Sequence, residues 1–159
     1  MERKRGAGAM TAEKKRMSVK AEWLGKRKFQ AKGPSGYPVL MDAGPAYGGE
    51  SGGNSPLELV LVGLTGCIGI GVTQLLEKMR QPLESLEIVA DGIREVEVPH
   101  AITEVDLIFH VKGELSPSRI WQAVKLETER YCPVAASLKA VITPHVILNG
   151  IETPIPEEE

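Results

Sequence analysis

"GGNSPLELVLVGLTGCIGIGVTQLLEKMR", residues 52–80, decides how this chain is organised. Ser55 is a credible N-cap, Pro56 suits the first helical position and Glu58 falls at N3, so the segment opens with a complete capping box in sequence. Pro82 cannot comfortably continue a helix, and the pattern predicts one that runs to about Arg80. Gly63, Gly66, Gly69 and Gly71 each cost about 1 kcal/mol against alanine in an exposed helix interior, so something other than propensity must offset them. Gly63, Gly66 and Cys67 lie three and four positions apart, with Ile70 and Gln74 continuing the row. That side is narrow enough for close contact with another backbone. Leu59, Leu61, Val62, Leu64, Ile68, Val72, Leu75 and Leu76 cover most other directions, which predicts a central helix buried nearly all round.

Upstream, Met17, Val19, Ala21 and Trp23 alternate with Ser18, Lys20 and Glu22, which is strand periodicity. Gly25 marks a turn, Phe29 resumes the pattern on a second strand, "YPVLMD" reads as a third, and a flexible loop of Gly, Ala, Glu and Asn follows. Downstream of Pro82, one strand passes through Leu86, Ile88 and Ala90, continuing through Ile93, Val96 and Val98 after a bulge at Gly92. Another passes through Ile102, Val105, Leu107, Phe109 and Val111. With no helical segment between them, the two pair antiparallel around a turn near Pro99. "SPSRIWQAVKLETERY" is a helix capped by Ser116 or Ser118, with an apolar stripe of Ile120, Ala123, Val124 and Leu126. "YCPVAASLKAV" repeats the cap-and-proline signal, and "PHVILNG" forms a terminal strand. The order is α+β in one domain over residues 15–150, between a disordered basic lead (1–14) and an acidic tail (151–159).

A chain of 159 residues with a formal charge of −2 can bury one core, and offers no whole-chain argument for a nucleic-acid partner. Seven Lys or Arg among the first twenty residues, against Glu2 and Glu13, read as a solvated end. The basic start is followed by "GAGAMTAEKK", which lacks an apolar signal-peptide core, and the apolar run over 59–72 is short for a membrane span. A soluble cytoplasmic protein with no membrane partner is expected.

No Walker motif, zinc metalloprotease motif or serine-nucleophile elbow occurs. "GYPVLMDAGPAYGGESGG" lacks the ordered spacing of a dinucleotide fingerprint, and His100, His110 and His145 are scattered, so neither cofactor nor metal is expected. Two cysteines remain. Cys132 precedes Pro133 and can occupy the N-cap of a short helix, where orphan amides and the helix dipole favour a thiolate. Cys67 lies mid-helix, as a small packing residue or a reactive thiol. The pair also permits a redox cycle, in which one thiolate becomes a sulfenic acid and the other resolves it to a disulfide.

"SPLELVLVGLTGC" on the central helix and "ERYCPVAASL" some 65 residues later make the chain resemble the OsmC/Ohr family over roughly residues 16–149. The resemblance implies an α+β fold of antiparallel sheets around long central helices in an intertwined homodimer. It also implies cysteine-dependent reduction of organic hydroperoxides, with Cys67 peroxidatic, Cys132 resolving and a dithiol as the reducing partner. The family's catalytic glutamate, ten residues before the first cysteine, falls on Leu57. Glu58 is nine residues from Cys67, about 900° of helical rotation and hence on the opposite face, so it belongs to the capping box. Arg27, in the first predicted hairpin, is the candidate activating arginine. The expected function is a weak or specialised thiol peroxidase of oxidative stress defence. The alternative is a non-enzymatic homodimer that binds a small apolar ligand or serves a structural role.

Overall fold

The computed structural model describes residues 12–157; most of the basic lead and the last two residues of the acidic tail lie outside them. The chain forms two compact units, residues 1–56 and 57–159.

In the first unit, β1 (Lys20–Gly25), β2 (Lys28–Lys32) and β3 (Pro38–Met41) make an antiparallel meander in that order. Gly25 and Lys26 both take positive φ (105° and 47°), which turns β1 into β2. The first strand begins at Lys20 rather than Met17, and Met17, Val19 and Trp23 are exposed. The segment read as a flexible loop is organised around one side chain. The buried Asp42 carboxylate accepts the backbone N–H groups of Ala43 (2.8 Å), Glu50 (3.2 Å) and Gly52 (2.9 Å). Those amides, Gly52 foremost, hold its carboxyl below the usual carboxylate range.

The long helix α1 runs Pro56–Lys78. It stops two residues before the expected Arg80 because Arg80 itself adopts the left-handed conformation (φ 56°). Its N–H bonds the Glu77 carbonyl and the Gln81 N–H reaches back to Leu76 (both 2.9 Å), which closes a Schellman cap without glycine. A four-stranded sheet follows in the order β4 (Leu83–Arg94), β5 (Ile102–Gly113), β6 (Val141–Leu148), β7 (Ile151–Thr153). All its pairings are antiparallel except β5 with β6, which run parallel because α2 (Pro117–Leu126) and α3 (Pro133–Ala136) lie between them. The register of β4 shifts between Leu83 and Ser85 and again between Ile93 and Arg94, not at Gly92, and the strand ends at Arg94: Val96 is 92% exposed in the turn beyond. The start of the acidic tail is a strand, turned back by Asn149 and Gly150 at positive φ (50° and 81°).

Period two on β5 buries Val105, Leu107, Phe109 and Val111 on one face. Leu64, Ile68, Val72 and Leu76 of α1 meet that core, as do Ile120, Trp121, Ala123 and Val124 of α2; Trp121 takes the place expected of Leu126. Burial all round α1 is not what the chain shows. One stripe is buried, whereas Val62 and Ile70 are 58% and 65% exposed, and a Cβ at Gly63 or Gly66 would meet nothing within 4 Å. Helix α1 is long and apolar enough to cross a bilayer by length and composition alone, yet its buried stripe is committed to this core.

Phe109→Ala is expected to lower the unfolding free energy by about 3–5 kcal/mol. Val96→Ala should stay within about 0.5 kcal/mol of the parent in the same denaturant titration.

Candidate functional site

Helix α1 presents Cys67, half-buried, one residue before the core residue Ile68. One turn further on, the same face carries Gly71. The second cysteine arrives from the other side of the fold. Helix α2 opens at Pro117 after Ser116, whose hydroxyl bonds Ser118 (2.9 Å) instead of the helix backbone, and then widens into a π-turn over Glu127–Tyr131. There the Cys132 N–H bonds the Glu127 carbonyl (3.1 Å), five residues back, and the Thr128 hydroxyl donates to Val124 O (2.8 Å). The extra residue in the turn stacks Glu127 and Cys132 on one side of the chain.

Cys132 is the N-cap of α3, and its Sγ accepts the Ala135 N–H at 3.3 Å. The cap expected from "CPVA" is therefore present, but the thiolate expected from it is not favoured. Cys132 is 2% exposed, and burial is the largest influence on its thiol. Together with the hydrogen-bonding Cys67 thiol, burial outweighs the amides of Ala135 and Val134 and pushes the Cys132 thiol up. The two cysteines are free thiols and near neighbours. Only Cys67 lines the adjoining cavity of about 440 Å³, whose wall also includes Ile70, Leu75, Lys78, Glu127 and Tyr131.

Glu127 was invisible to motif reading. It is buried, and a Cβ on Gly71 would collide with its carboxylate, so the cost of a mid-helix glycine is repaid by room for that group. Burial alone pushes the Glu127 carboxyl above its ordinary range. A signal was present in the sequence: Glu127 is seven residues after Ile120, four after Ala123 and three after Val124, where the apolar stripe of α2 calls for another hydrophobe. Of the other expected residues, Pro56 opens α1 and Glu58 lies in its first turn. Arg27 belongs to the first unit, at the turn into β2, where its guanidinium packs against Gly48 and Nη1 donates to Lys26 O (3.3 Å).

The sequence profile of the OsmC-like proteins matches residues 48–146, more than half of the chain. This chain belongs to the OsmC/Ohr family. It is 35% identical over 129 residues to protein YhfA of Escherichia coli K12, covering 79% of this chain and 92% of YhfA. Its fold superposes on the crystal structure of a hypothetical protein of Aquifex aeolicus with a TM-score of 0.72 and 28% identity, covering 86% of this chain and 99% of that one. An organic hydroperoxide resistance protein of Elizabethkingia anophelis, crystallised with thiocyanate bound, shares the fold (TM-score 0.62, 14% identity, 87% of this chain and 98% of that one). Membership in the OsmC/Ohr family and a pair of neighbouring cysteines give this site a redox character.

The raised Glu127 carboxyl has a thermodynamic signature. The folded state keeps its proton to higher pH than the unfolded state, so the stability tied to the protonated form is full at low pH. It is lost as pH rises through the ordinary carboxylate range and beyond. Urea titrations between about pH 4 and 7 should therefore show wild type losing stability relative to Glu127→Gln as pH rises. A difference that stays constant with pH would contradict this assignment.

Proposed function

We propose that this protein is a cysteine-based thiol peroxidase that reduces organic hydroperoxides in oxidative stress defence. The observation that carries the reading is the asymmetry of the two neighbouring thiols: Cys67 opens on a cavity, whereas Cys132 is buried behind it with its thiol form favoured. The Cys67 thiolate attacks the outer oxygen of the hydroperoxide, the O–O bond breaks, and sulfenic acid and alcohol result. Cys132 then attacks the Cys67 sulfur, loses its proton and displaces the hydroxyl as water, leaving a disulfide that a dithiol reduces by exchange. Leu57, at the position of the family's catalytic glutamate, fits a weak or specialised activity. Arg27 is assigned the activating role on family resemblance, and Arg27→Ala is expected to slow peroxide consumption.

The functional unit is proposed to be a homodimer. Val62, Ile70, Gly63 and Gly66 form an open apolar face on α1, beside a shallow cavity of about 450 Å³ lined by Gly66, Gly69, Leu86 and Ile88. A second copy is the occupant that the small-residue side of a helix suits. That same open face favours a second reading, a dimer that binds a small apolar ligand without turnover.

Mixing reduced protein with stoichiometric cumene hydroperoxide, followed by mass spectrometry, tests the reading. An intramolecular disulfide is expected in wild type, a trapped sulfenic acid on Cys67 in Cys132→Ser, and no rapid consumption by Cys67→Ser. An unmodified Cys67 in wild type would sink the peroxidase and leave the binding dimer. Sedimentation at micromolar concentration should give a dimer, and a monomer there would refute the assembly.

A further inference from the structure

Glu127 takes no part in the cysteine cycle just described, yet it stands in that site. The residue is 7% exposed and lines the same cavity as Cys67, with its carboxylate against Gly71 of that wall. Among the described residues no hydrogen bond or ion pair reaches that carboxylate, an arrangement that disfavours the ionised form. Two features of the fold hold it in place. Gly71, four residues beyond Cys67 and so about 6 Å further along the axis, leaves the space its carboxylate fills. The π-turn bonds the Glu127 carbonyl to the Cys132 N–H, which ties the backbone that carries its side chain to that of the second cysteine. The other polar or ionisable groups facing the same cavity are Gln74 and Lys78 on α1 and Tyr131 at the end of the π-turn. Lys78 stands eleven residues from Cys67, about 16 Å along the helix, and Tyr131 is more than half exposed. Glu127 is the buried acid that lines the same cavity as Cys67.

We propose that Glu127 is the proton donor to the leaving oxygen when a hydroperoxide is reduced at Cys67; this deepens, and rests on, the thiol-peroxidase reading. As the Cys67 thiolate bonds the outer oxygen, the O–O electron pair goes to the inner oxygen. The Glu127 carboxyl proton goes there too, so the product leaves as an alcohol rather than an alkoxide. The thiolate sulfur is oxidised and the peroxide reduced by two electrons. Glu127, now a carboxylate, takes the proton that Cys132 gives up on attacking the sulfenic acid. The hydroxide displaced takes from solvent the proton that Cys67 lost at the start. The pair ends as a disulfide, with alcohol and water as products and Glu127 protonated again. A carboxyl whose proton affinity burial raises suits this task, since it gives up a proton at the attack step and recovers one at resolution.

An acid that protonates the leaving group matters in proportion to how poorly that group leaves, which separates this role from a structural one. Single-turnover oxidation of the full-length reduced protein is followed by rapid quench and mass spectrometry, for wild type and Glu127→Gln. Cumene hydroperoxide releases a tertiary alkoxide; peracetic acid releases acetate, which needs no proton. Glu127→Gln is expected to slow cumene hydroperoxide about 10²-fold and peracetic acid less than about 3-fold. The ratio of the two rates within each variant cancels any loss of folded protein. An equal loss with both oxidants, or no loss with either, overturns the proposal and leaves the cysteine cycle standing. A wild type that reduces no organic hydroperoxide overturns the cycle, and this role with it.

Discussion

Leu64, Ile68, Val72 and Leu76 of α1 pack against the buried face of β5, and the rest of the second unit depends on that contact. Four apolar side chains on one stripe allow a helix a single rotational setting, because any roll would expose some and crowd others. That setting also fixes where Cys67 stands. Cys67 is the neighbour of Ile68 in sequence and therefore sits about 100° around the helix from the stripe, at the margin between core and cavity. A cysteine on the stripe would be inert, and one opposite it would face away from Cys132.

The second half of the site is placed by an irregularity. Had α2 continued at 3.6 residues per turn, Glu127 and Cys132 would diverge around the helix, five residues being 500° of rotation. Widening to a π-turn brings them to one side, and Pro133 then ends that arrangement and starts α3 with Cys132 as its cap. The cap amide and the burial act on Cys132 in opposite directions, and burial prevails. Two neighbouring cysteines thus differ in access: Cys67 lines the cavity, whereas Cys132 is buried.

Much of this was legible in the residues. Pro56 and Glu58 announce the start of α1, alternation announces β5, and "CPVA" announces the cap at Cys132, because each depends on local stereochemistry. Four things were not. The direction of β6 beside β5 is set by the helices between them, not by periodicity. The loop after β3 reads as flexible because three amides converging on Asp42 have no sequence signature. The open face of α1 has the composition of a buried one, and composition does not say whether its cover lies in the same chain. Glu127 broke the apolar stripe of α2 visibly, but its meaning required Gly71, more than fifty residues away.

The separation of the two cysteines along the chain has a consequence for the molecule as a whole. Cys67 and Cys132 are 65 residues apart, and the segment between them includes β4, β5 and α2, most of the second unit's core. A bond between their sulfurs would close that segment into a loop and remove about 4 kcal/mol of chain entropy from the unfolded state, on the loop-closure account. The disulfide-bonded molecule would then be firmer than the dithiol form. The melting temperature of a purified sample would report its oxidation state as directly as a thiol assay.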